Sequence, residues 1–147
     1  MTNENSYQRI MAVDYGEKRI GIALTDPMLT FAYPFITLLN DEKFWDNFIP
    51  IVKEKNVSKI ILGLPLKESG EEYELTKSVL EFRVKIESKL KIEVLLRDER
   101  YTSSIAQDII IKSVNKKSKR KDKSLIDRGA AAIILEDYLT ELKNKIF

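Results

Sequence analysis

Three sets of carboxylates stand where apolar runs begin or end. Asp14 closes the run Ile10-Met11-Ala12-Val13, Asp98 and Glu99 follow the run Ile92 to Leu96, and Asp127 opens the last amphipathic stretch. An acid at the carboxyl end of a buried strand lies at the sheet edge where open α/β sheets place their sites. Each acid has an ordinary reading when taken alone. Asp14-Tyr15-Gly16 suits a tight turn. Asp98 and Glu99, flanked by Arg97 and Arg100, read as a self-neutralised loop. Asp127 follows Ser124 by three residues, which resembles a capping box. Their combination says more. If the two site strands are neighbours and the last helix packs on their carboxyl ends, three acids converge. Gly129, Ala130, Ala131 and Ala132 are small enough to let that helix lie close against a sheet. Crowded like charges repel and call for a cation. Two divalent ions about 4 Å apart would neutralise them, clamp a scissile phosphate, activate a water and stabilise the leaving oxygen. Side chains alternate along a strand, so only one of Asp98 and Glu99 can point into such a site, and spacing does not say which.

Composition narrows the chemistry. The chain has no cysteine and no histidine. That excludes Cys/His zinc sites, thiol nucleophiles, imidazole bases and the Ser-His-Asp triad. Carboxylates without thiol or imidazole favour hard cations, Mg²⁺ or Mn²⁺. The formal net charge of +2 points to no particular partner, but its distribution does. Asn115 to Lys123 carries six cations and one acid, with no aromatic residue for base stacking. Such a run is usually a solvated, mobile loop. Immediately before Asp127, it reads as a sequence-independent phosphate grip through Lys116, Lys117, Lys119, Arg120 and Lys121. Arg19 and Arg100 each lie near a candidate acid, and either could pair with a carboxylate or contact a phosphate.

The elements that must position these residues follow from periodicity. Ile10–Val13 and Arg19–Leu24, separated by a polar stretch with Gly16, read as a β-hairpin. Phe35–Leu39 is a third strand after Pro34. Asn40 or Asp41 caps a helix carrying Phe44, Trp45, Phe48, Ile49 and Val52 on one face. Pro50 inside that pattern predicts a kink or an early end, since an interior proline costs about 3 kcal/mol. Ile60–Leu62 is a short buried strand. A long helix then presents Leu75, Val79, Phe82, Ile86 and Leu90, and Ile92–Leu96 is the fifth strand. Thr102 or Ser103 caps a helix through Ile105, Ile109 and Ile110. After the basic run, a last helix from Ser124 towards Lys145 turns Ala130, Ile134, Leu135, Tyr138 and Leu142 inward. Hairpin strands followed by alternating strands and helices imply an α/β fold, a mixed sheet with helices on its faces. The 147 residues suit one domain, with residues 1–9 flexible and residues 115–123 a mobile loop. The polar opening stretch has no signal-peptide core, and no apolar run approaches the roughly 20 residues of a membrane helix. A soluble, cytoplasmic protein is expected, without membrane partners.

The motifs resemble one family. Asp14-Tyr15-Gly16-Glu17-Lys18-Arg19-Ile20-Gly21-Ile22-Ala23 is similar to the opening motif of the YqgF family of pre-16S ribosomal RNA nucleases. Gly63-Leu64-Pro65 followed by Gly70-Glu71 resembles its central motif, and Asp98-Glu99-Arg100-Tyr101-Thr102-Ser103 its Asp-Glu-Arg signature. Asp127, Ala130, Ala131, Ile134, Leu135, Tyr138 and Leu139 resemble its last-helix pattern. The likeness runs from about Ile10 to Leu139. It implies a ribonuclease H-like fold related to Holliday-junction resolvases, five strands with the first three antiparallel. It also implies trimming of the 5′ end of the 16S ribosomal RNA precursor. The metal-binding acids it implies are Asp14, Glu99 and Asp127, with Asp98 the alternative in the middle position.

Other functions compete. The same chemistry on branched DNA would make the chain a junction resolvase, which needs two symmetric sites and hence a dimer; a monomer or weak homodimer is expected here. A non-catalytic RNA-binding module would keep the basic run and leave the acids idle. Nucleotide binding, suggested by the Asp-Tyr-Gly turn before a hairpin, requires two such domains around a cleft.

Overall fold

The computed structural model describes residues 7–99 and 123–146. Five strands form one sheet: β1 (Arg9–Asp14), β2 (Arg19–Thr25), β3 (Ala32–Leu39), β4 (Val57–Leu64) and β5 (Glu93–Asp98). Three helices accompany them: α1 (Phe44–Glu54), α2 (Glu74–Leu90) and α3 (Lys123–Ile146). The strand order is β3-β2-β1-β4-β5. β2 runs antiparallel to both β1 and β3, while β1, β4 and β5 are parallel. The carboxyl ends of β1, β3, β4 and β5 and the start of β2 therefore share one edge.

Strand alternation divides the interior into two cores. Met11 and Val13 of β1, Ile20, Ile22 and Leu24 of β2, and Ile60 and Leu62 of β4 pack with Phe44, Phe48 and Val52 of α1 and Val79, Phe82 and Ile86 of α2. Ile10 and Ala12, Ala23 and Ile61 face the other way, against Ala131, Ala132, Ile134, Leu135 and Leu139 of α3. The expected mixed sheet with helices on both faces is present.

Several local expectations shift. α1 begins after Lys43 without a side-chain cap. Asp41 Oδ1 accepts from the Lys43 N–H at 3.0 Å and tightens the turn before the helix, while Asn40 Nδ2 donates to the Gly16 carbonyl at 2.9 Å. Pro50 does not end α1, which continues to Glu54. The buried stripe Phe44, Phe48 and Val52 spans the proline and outweighs the lost hydrogen bond. β3 starts earlier than expected and contains Pro34. It is an edge strand, and its pairing with β2 shifts register beside that proline, the position where a ladder tolerates one. In α3, Ile134 and Leu135 are buried as expected, Ala131, Ala132 and Leu139 join them, Tyr138 and Leu142 pack half-buried against this core, and Ala130 is only partly covered. Arg9, expected to be flexible, already belongs to β1, and Lys123 belongs to α3 rather than to the basic loop. The predicted helix through Ile105, Ile109 and Ile110 and the rest of the basic run lie outside the described residues. Among the described residues, no helix is long and apolar enough to cross a membrane.

Candidate active site

Asp14 ends β1 with the parity of Ile10 and Ala12, so its carboxyl faces α3. Tyr15 turns the opposite way, onto the Phe82 ring at 4.9 Å, and anchors the chain to α2 immediately after the acid. The following turn is braced by Asn40, whose N–H donates to the Lys18 carbonyl at 2.9 Å.

The same parity rule resolves the Asp98/Glu99 pair. Val94 and Leu96 of β5 join the α1/α2 core, and Asp98 follows them in phase. Leu95 packs on the α3 side, and Arg97 pairs there with Glu141. Glu99 continues that row. Its Oε1 lies so close to Gly63 that a Cβ on the glycine would meet it at 2.3 Å. Glu99 shares a hydrogen bond with Asp14. Glu99, not Asp98, is the acid that faces Asp14.

Asp127 arrives from α3. Its backbone rests on Gly21, where a Cβ would stand 2.1 Å from the Asp127 carbonyl oxygen and 2.7 Å from the Arg128 nitrogen. Gly21 is the ladder partner of Asp14. Only a residue without a side chain lets α3 come this close, and the contact sets Asp127 beside Asp14. The Asp127 carboxylate accepts from Arg19 Nε at 2.8 Å through Oδ2.

Electrostatics register the crowding. The Asp14 carboxyl is pushed from its ordinary 3.8 to about 8, chiefly by burial, then by the charge and hydrogen bond of Glu99, then by the charge of Asp127. Asp14 thus keeps its proton near neutrality unless a cation replaces it. Oxygen donors only, an excess of negative charge and a proton held for want of a counter-charge are what a hard divalent ion fits. Among the described residues, no three carboxylates stand close enough around one point to hold an ion as they are now turned. Asp127 is engaged with Arg19 through Oδ2.

The structure thus brings together Asp14, Glu99, Asp127 and Arg19, and turns Asp98 to the opposite face. Arg100, Lys116, Lys117, Lys119, Arg120 and Lys121 lie outside the described residues. Residue-by-residue reasoning missed two members of the site, Gly21 and Gly63. The signal was present, because a glycine inside an apolar strand marks a close approach by other atoms.

Comparison with known proteins identifies the family. A family model described as RuvX, Holliday junction resolvase, matches residues 8–141. The chain belongs to the RuvX family. RuvX and YqgF name the same family, so the resemblance read from the motifs holds. Among similar curated proteins is one from Sulfurihydrogenibium sp. (strain YO3AOP1), named "Putative pre-16S rRNA nuclease". It is 39% identical over 136 residues, covering 91% of each chain. One of the same name from Endomicrobium trichonymphae is 41% identical over 133 residues, covering 89% of this chain and 94% of its own length. As a RuvX protein the chain is a nuclease, a hydrolase of phosphodiester bonds. Its fold is ribonuclease H-like. The Fowlpox virus resolvase in complex with Holliday junction DNA superposes with a TM-score of 0.58 at 16% identity, covering 92% of this chain and 99% of that one. T. thermophilus RuvC with a Holliday junction substrate gives 0.58 at 9% identity, covering 92% and 96%.

Proposed function

We propose that this RuvX protein is a divalent-cation-dependent RNA nuclease that processes the 5′ end of precursor 16S ribosomal RNA, with Asp14, Glu99 and Asp127 as the cation's ligands. The observation that supports the reading is that Glu99 and Asp127 both act on Asp14, whose carboxyl is pushed to about 8 chiefly by burial and further by these two acids. The ribosomal RNA substrate is taken from the names of the curated relatives. A cytoplasmic location goes with that substrate.

Mg²⁺ or Mn²⁺ bound here would supply the positive charge that activates a water and stabilises the leaving oxygen. The chain's own groups do the rest. Asp14 releases its proton as the site loads. Gly63 leaves room for the Glu99 carboxylate, and Gly21 holds the Asp127 backbone in register with Asp14. Arg100 and the basic run Lys116 to Lys121 grip phosphates without reading sequence.

The test is incubation of purified protein with precursor 16S RNA, a four-way DNA junction and single-stranded DNA, each with Mg²⁺ and with Mn²⁺. RNA cleavage is expected for the wild type and none for Asp14→Asn, with an unchanged circular dichroism spectrum. Full cleavage by Asp14→Asn would sink the assignment. A second reading, branched-DNA resolution, is favoured by the family's description. It requires two symmetric sites and hence a dimer; cleavage of the junction alone, by a dimer in sedimentation, would select it. For the RNA nuclease we propose a monomer or weak homodimer.

A further inference from the structure

Arg19 sits inside a cluster of acids that the proposed reaction needs for a cation. It is the first residue of β2, and its Cα is held by the ladder to β3 and by the braced turn before it. Any change of position therefore falls to its side chain. The contact with Asp127 uses Nε alone, at 2.8 Å, and the terminal guanidinium nitrogens make no hydrogen bond to any described residue. A one-point contact is weaker than the two-point fork that arginine makes with a carboxylate or a phosphate. The two side chains are 29% and 25% exposed, so water can reach the pair and the ions can separate. Asp127 also lies close enough for its charge to act on Asp14, so the same carboxylate faces a cation on one side and an acid on the other.

We infer that Arg19 is a displaceable counter-ion of the site. It holds Asp127 until a divalent cation takes that carboxylate, and the released guanidinium then binds a phosphate of the substrate strand. The inference rests on the metal-site reading above. It links two affinities that would otherwise be independent. A cation must displace Arg19 to bind fully, so Arg19 weakens cation binding. Loading frees Arg19 for the strand, so the cation strengthens strand binding, and linkage makes the effect reciprocal.

The experiment is calorimetric titration of the nucleic-acid-free protein with Mn²⁺. It compares wild type, Asp14→Asn, Arg19→Gln, Arg19→Lys and Lys18→Gln. Lys18 is exposed and adjacent in sequence, so its variant removes the same charge without touching Asp127. Arg19→Gln is expected to bind Mn²⁺ about fivefold more tightly than wild type, the scale of a partly exposed ion pair. Arg19→Lys should shift less in the same direction, and Lys18→Gln by less than about twofold. In a second measurement, fluorescence anisotropy with a phosphorothioate RNA strand, the gain in affinity on adding Mn²⁺ should be about fivefold smaller in Arg19→Gln. Unchanged or weaker Mn²⁺ binding by both Arg19 variants overturns the inference while leaving the metal site intact. An equal gain for Lys18→Gln also overturns it, as a general charge effect. Failure of the wild type to bind Mn²⁺, or equal binding by Asp14→Asn, removes the metal-site reading and this inference together.

Discussion

The two faces of the sheet are built to opposite rules. Against α1 and α2 the strands present large side chains, Met11, Ile20, Ile22, Leu24, Ile60 and Leu62, and the helices answer with aromatic rings. Phe44 stacks on Phe48 at 4.9 Å and lies 5.6 Å from Phe82, and Trp45 closes the group. Against α3 the strands mix Ile10 and Ile61 with the small residues Ala12, Gly21, Ala23 and Gly63, and the helix answers with Ile134, Leu135 and Leu139 beside Ala131 and Ala132. Bulk on the first face buries apolar area and supports the fold. Lack of bulk on the second lets a helix backbone touch the strands, so an acid carried by α3 reaches an acid carried by β1. Both faces bury apolar area, but the aromatic rings gather on one side and the site on the other.

The widest contrast is expected between neighbours on opposite faces. Glu99→Gln should lower cleavage by more than about 100-fold, beyond the usual cost of losing a ligand's outer partner. Asp98→Asn should stay within about twofold of wild type, because that side chain belongs to the α1/α2 face. Steady-state cleavage of a defined RNA measures both, and equal losses would erase the distinction between the faces. Next come substitutions in the two packing layers. Gly21→Val drives a side chain into the Asp127 backbone and should cost about 100-fold in activity, the price of roughly 1 Å of misplacement. Phe48→Ala should instead cost about 3–5 kcal/mol of stability, with near-normal activity per folded molecule. Denaturant unfolding beside kinetics separates the two.

The smallest effect is in pH dependence. Asp14 has a folded value near 8 against an ordinary 3.8, so the folded, metal-free protein holds a proton that the unfolded chain gives up. Its contribution to stability is fully present below about 3.8, declines as pH rises and is lost by about 8. Calorimetric melting in a chelator should show that decline. Asp14→Asn should flatten it and melt several degrees higher at pH 7, roughly the effect of 2 kcal/mol in a chain this size. An acid that destabilises the fold is kept for what it does.

Periodicity and motif placed the five strands, the acid at the end of β1 and the amphipathic stripes of α1 and α2, because these depend on spacings of two and of three to four residues. Boundaries moved where tertiary packing outweighed local preference. α1 ran through Pro50 to keep Phe48 and Val52 buried together, and Pro34 entered β3 because that strand is an edge among the described strands, where a missing N–H is tolerated.

What the sequence determined by itself is the parity of each strand: Asp14 shares a face with Ile10 and Ala12, and Asp98 and Glu99 oppose each other. Parity cannot say which face a distant helix will cover. That was decided by the docking of α3 on the glycine and alanine side. It chose Glu99 over Asp98, set Asp127 against Gly21 and gave its carboxylate to Arg19. The physical reason is range: alternation is a local property of the backbone, whereas the meeting of residues 14, 99 and 127 depends on whether a strand lacks the side chains that would hold a helix away.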